Sequence, residues 1–121
     1  MEEAVMSQGS KTWIRVYGQF EAIHCWPNAP KSEKYLAHPH RHLFCVELRI
    51  EVYHNDRDLE FYAVKKWLTN ALLAMSKPLK TSCEMYAEKI AILFEQKYGV
   101  GRSLVVCVSE DGLEGVIYEH Y

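Results

Sequence analysis

Three histidines fall within five residues, at His38-Pro39-His40-Arg41-His42, and a fourth, His24, ends an alternating run upstream. Neutral imidazole is a good ligand for Zn2+, and it exchanges a proton near neutral pH. Residues two apart on a strand face the same way, so a strand through this stretch sets His40 and His42 side by side. His38 shares their parity, but Pro39 interrupts the regular strand there and leaves His38 out of the metal set. If the run ending at His24 pairs with the run opening at His40 as a long-looped hairpin, three imidazoles converge at one end of a sheet. Three protein ligands with an open fourth position form the catalytic zinc pattern. The competing reading is a surface histidine cluster, or histidines satisfied within a core. The register on both sides speaks against it, because His24, His40 and His42 all fall on the apolar parity of their runs.

The elements that must position these side chains follow from periodicity. From Trp13 to His24, residues Ile14, Val16, Phe20, Ala22 and His24 share one parity, which predicts a half-buried strand, with Gly18 marking a bulge or bend. A long loop runs from Cys25 to Ala37. Alternation returns from His40 to Tyr53, with Phe44, Val46, Leu48, Ile50 and Val52 inward. A polar turn at His54 to Asp58 follows. Phe61, Val64, Trp67, Leu68, Ala71, Leu72 and Met75 then recur at helical spacing, and Pro78 prevents continuation. Thr81-Ser82-Cys83-Glu84 has the form of a capping box opening a second helix. Its buried stripe is Cys83, Ala87, Ile90 and Leu93 or Phe94, and it ends near Tyr98-Gly99. Strands are expected at Ser103 to Ser109 and Gly115 to Tyr121, joined by a turn at Asp111-Gly112. The order predicts an α+β domain, an antiparallel sheet covered by two helices.

Composition narrows the function classes. The 121 residues suffice for one domain, 1–121, with one hydrophobic core. Net charge is −2 and basic residues are dispersed, which argues against a general nucleic-acid or membrane-surface binder. No apolar run approaches a spanning helix. The acidic, polar start lacks the features of a signal peptide; residues 1–11 are expected to be a flexible leader and the protein cytoplasmic. Cys25, Cys45, Cys83 and Cys107 form no CxxC pair and read as reduced, mostly core thiols.

Five segments, in order, resemble the 6-pyruvoyl-tetrahydropterin synthase and 6-carboxytetrahydropterin synthase family. Phe20-Glu21-Ala22-Ile23-His24 is similar to its F-D-A-x-H, and His40-Arg41-His42-Leu43-Phe44-Cys45-Val46 to its H-G-H-N-Y-x-V. Glu60-Phe61-Tyr62-Ala63-Val64-Lys65 resembles D-F-x-x-L-K. Thr81-Ser82-Cys83-Glu84 resembles T-[SA]-E-N with one extra residue, and Val106-Cys107-Val108-Ser109-Glu110 resembles V-x-V-x-E-T. The resemblance implies the tunnelling fold, a four-stranded antiparallel sheet with two helices on one face. It implies subunits assembled into trimers or hexamers, with sites at their interfaces, and zinc on His24, His40 and His42. It further implies that Glu110 anchors a pterin ring, with Thr81 and Ser82 nearby. The implied chemistry is that of a lyase acting on dihydroneopterin triphosphate or a related purine-derived substrate, as in deazaguanine and queuosine biosynthesis.

The sequence departs from the family at its proton-transfer groups. No cysteine lies between Ser32 and Ala37, where the catalytic one is expected, and Leu68 to Lys80 contains neither Asp nor His in place of the Asp-His pair. Arg41 replaces the glycine between the two histidines. Glu33, His38 and His54 are the candidate substitutes, since each can exchange a proton. Two functions remain open. One is a divergent enzyme. The other is an inactive oligomeric module that binds a pterin, purine or nucleotide without turnover.

Overall fold

The computed structural model describes residues 9–75 and 79–121. Pro78 and most of the expected leader lie outside the described residues. β1 spans Thr12–His24 and β2 spans His40–Val52, paired antiparallel in unbroken register from Thr12 opposite Val52 to His24 opposite His40. Two helices follow, α1 at Phe61–Leu73 and α2 at Cys83–Tyr98, then β3 at Leu104–Glu110 and β4 at Gly115–His120. The sheet order is β1-β2-β3-β4, antiparallel throughout. Both helices pack on one face, α1 over β1 and α2 over β3 and β4. This is the expected α+β architecture. No helix among the described residues is long and apolar enough to cross a membrane.

The core lies between sheet and helices, where the inward parity of each strand meets the helix stripes. Phe44, Val46, Leu48 and Ile50 of β2 are fully buried, as are Leu68 of α1 and Ala87 and Ile90 of α2. The α1 stripe is Val64, Leu68 and Leu72, whereas Phe61 is exposed. In α2 the stripe passes through Phe94 rather than Leu93, and Tyr86 joins it. Tyr86 lies against Phe20 and Phe44 at ring separations of 5.1 and 5.0 Å, making an aromatic layer beneath the sheet end that carries the histidines.

Three local expectations need correction. Gly18 is no bulge, since the β1–β2 register runs straight through it. A Cβ there would meet Leu72 at 2.9 Å and Leu68 at 3.2 Å, so the glycine lets α1 approach the strand closely. The capping box does not form. Ser82 is the N-cap, accepting from the Met85 amide, which places Glu84 one position too early to reach back. The loop after β1 also contains a short 3₁₀ segment at Lys31–Ala37.

Candidate metal centre

The hairpin register carries the histidines to one place. His24 pairs with His40, and His42 follows on the same face, opposite Ala22. One strand over, Glu110 stands opposite Phe44. One ligand-capable atom from each of His24, His40, His42 and Glu110 lies within 4.8 Å of all the others. The imidazole centroids are 4.5, 5.0 and 5.4 Å apart. Beneath them Phe44 meets the His24 ring at 5.1 Å, so the group has an apolar floor that keeps water from below and strengthens electrostatic contacts.

Each imidazole is held from behind. His24 Nδ1 lies 2.8 Å from the Thr81 carbonyl, His40 Nδ1 2.7 Å from the His38 carbonyl, and His42 Nδ1 2.7 Å from an Asp111 carboxylate oxygen. Carbonyls and carboxylates only accept, so each Nδ1 must donate. The proton then sits on Nδ1 in the neutral rings, leaving the Nε2 lone pairs available to a metal. An outer acceptor on the non-ligating nitrogen is the usual arrangement around metal-bound histidine.

His24 is the buried member, 8% exposed, and its Nε2 has no hydrogen-bond partner of acceptable geometry. A Glu110 oxygen is nevertheless only 2.9 Å away, and the other Glu110 oxygen is 3.8 Å from His42 Nε2. Distance alone makes His24 and Glu110 an ion pair, but their directions do not make a hydrogen bond. With Nδ1 protonated, the bare Nε2 stands 2.9 Å from a carboxylate with no proton shared between them, and a cation held by both groups resolves that conflict. Three neutral imidazoles and one carboxylate are a suitable donor set for a divalent ion of the zinc type.

A cavity of about 470 Å³ opens beside the group. Its polar wall includes His24, His40, Thr81, Ser82 and Glu110, and its apolar wall includes Trp26, Leu36 and Met85. The volume is within the usual range for small-molecule pockets. Thr81, Ser82 and Glu110 thus line one cavity, although Thr81 uses its carbonyl on His24 and Ser82 its hydroxyl on the α2 cap. Cys83 also lines the cavity, but burial, followed by the charges of Glu110 and Glu84, pushes its thiol up to about 12. It stays protonated at neutral pH. Cys25 lies in the same wall.

The three candidate proton-transfer residues are not gathered here. Glu33 sits in the 3₁₀ segment, hydrogen-bonded by the Ser32 hydroxyl, and does not line the cavity. His38 is exposed and contributes its backbone carbonyl. His54 lies past the other end of β2, roughly 40 Å along the strand at ~3.3 Å per residue, beside Asp58. Within one chain it does not reach the metal group.

Asp111 is the residue that sequence reasoning missed. It was legible only as the first half of an Asp-Gly turn, and it fills that role with φ of 58°, followed by Gly112 at 75°. The same geometry turns its carboxylate back toward β2. The Leu43 amide, and then His42, hold that carboxyl below its ordinary range. No family model matches the chain, and no curated protein does.

Proposed function

We propose that the protein is a zinc-dependent, pterin synthase-like lyase of the cytoplasm, acting on dihydroneopterin triphosphate or a related purine-derived substrate. The observation that carries this reading is the convergence of three Nδ1-protonated imidazoles and Glu110 on the wall of a ligand-sized cavity. His24, His40 and His42 would hold the ion. Bound zinc supplies Lewis acidity, polarising a substrate oxygen. Glu110 offers a carboxylate edge to the parallel N–H donors of a pterin or guanine-like ring. Trp26, Leu36 and Met85 give that ring an apolar wall and limit water. Proton transfer at the substrate side chain falls to Cys25 or to groups from a neighbouring copy, since Glu33, His38 and His54 lie outside this wall. Assembly into trimers or hexamers fits that need. β1 and β4 are the sheet edges, and an unpaired edge can take another strand.

A second reading is favoured by the closeness of Glu110 to His24 and His42. With Glu110 as fourth ligand the site is closed, as in structural zinc sites, and the chain is a binding module without turnover. Release of triphosphate from dihydroneopterin triphosphate, measured with zinc-loaded protein, separates the two. Turnover that disappears on chelation and returns with zinc supports the enzyme. Tight binding of the heterocycle without triphosphate release supports the module. Failure to retain zinc after supplementation overturns both.

A further inference from the structure

We infer that Asp111 is the positioning residue of the metal centre, setting the tautomer and direction of His42. The inference rests on the metal reading above and adds a residue outside the candidate ligand set. Asp111 makes three bonds to two consecutive residues of β2. Its amide donates to the Leu43 carbonyl at 2.6 Å, one carboxylate oxygen accepts from the Leu43 amide at 2.9 Å, and the other lies 2.7 Å from His42 Nδ1. Together the first two bonds extend the β2–β3 ladder past Glu110, with a side chain standing in for the next peptide. With one oxygen held by the Leu43 amide, the second is directed at His42.

The three imidazoles differ in how they are held. His24 and His40 donate to backbone carbonyls. His42 alone relies on a side chain, and that side chain is charged. A carboxylate behind the ring makes the imidazole a stronger donor to a metal than a carbonyl does. It also completes the charge balance, because Glu110 and Asp111 together match the two positive charges of a divalent ion bound by neutral imidazoles.

Asp111→Asn is the discriminating variant. It is nearly isosteric and can keep the bond to the Leu43 amide, but the position facing His42 then carries an NH2 group. That group donates to Nδ1, moving the ring proton to Nε2, where it blocks coordination. Histidine 15N NMR of the metal-free protein is expected to show His42 protonated at Nδ1 in the wild type and at Nε2 in the variant. Zinc affinity is expected to fall about 10- to 100-fold, and the visible spectrum of the Co2+-substituted protein to weaken or shift. Asp111→Glu, which keeps the charge, is expected to recover part of the affinity.

An Nε2-protonated His42 in the metal-free wild type overturns the assignment, whatever metal the protein binds. Equal zinc affinity of wild type and Asp111→Asn overturns it too. If the wild type binds no metal but the tautomers behave as stated, the metal reading fails while the control of His42 by Asp111 stands.

Discussion

The two ends of the β1–β2 hairpin solve the same problem differently. At the end where Thr12 meets Val52, Asp58 sits largely covered and receives the Arg102 guanidinium at 2.8 Å and the Tyr53 amide at 2.8 Å. Arg102 also lies over the Tyr53 ring, 4.5 Å from its centroid, and His54 stands 3.8 Å from Asp58. The negative charge there is met by a cation from the chain. At the end where His24 meets His40, Glu110 faces imidazoles whose protons are all directed away from it. No Arg or Lys forms an ion pair with Glu110 among the described residues. One end supplies its own counter-charge; the other is arranged to receive one.

The contrast can be broken at either end. His40→Ala removes one of the proposed ligands and is expected to weaken zinc binding by more than the roughly 10- to 100-fold attributed to outer partners. Isothermal titration calorimetry measures the loss, and unchanged affinity would remove His40 from the site. Arg102→Met leaves Asp58 largely covered without its guanidinium partner, held only by the Tyr53 amide and the more distant His54. It is expected to cost about 2 kcal/mol of stability at neutral pH, less than for a fully buried pair because both groups retain some solvent contact. Zinc affinity should not change.

This second effect has a definite pH signature. Arg102, with the Tyr53 amide, holds the Asp58 carboxyl below its ordinary range. The stabilisation is therefore complete above the unfolded carboxyl value near ~4, and it is lost as pH falls through the lower folded value. Denaturation curves of wild type and Arg102→Met should converge in acid; a constant gap from pH 7 to 3 would show that the pair acts through packing alone. The smallest effect is expected for His54→Gln, below about 0.5 kcal/mol and without influence on metal uptake. A large loss of zinc affinity in that variant would link two ends that the fold separates.

The strands were legible because alternation and burial coincide. Phe44, Val46, Leu48 and Ile50 are inward on both counts, and the parity that buries them also aims His40 and His42. The family-like segment ending β3 singled out Glu110 as a ring anchor, but its place beside His24 and His42 follows only from the β2–β3 register. Less accessible was everything that depends on backbone atoms or on approach distance. That Thr81 acts through its carbonyl cannot be read from a threonine, nor that Gly18 makes room for Leu72. Asp111 has an ordinary turn residue's identity, and only its left-handed backbone shows that its carboxylate returns to β2. The proton-transfer candidates failed to gather because sequence proximity to the histidines, as for His38 and Glu33, does not set side-chain direction.

The bond from His24 to the Thr81 carbonyl reaches beyond the metal group. Thr81 immediately precedes Ser82, which caps α2, and the neighbouring Cys25 amide bonds the Leu79 carbonyl. The end of β1 is thereby latched to the segment leading into α2. Immobilising the His24 ring through Nε2 tightens that latch from the far side of the ring. Occupancy should then register as slower amide hydrogen exchange at Cys25 and in the first turn of α2, so that the helix layer reports whether the sheet end is filled.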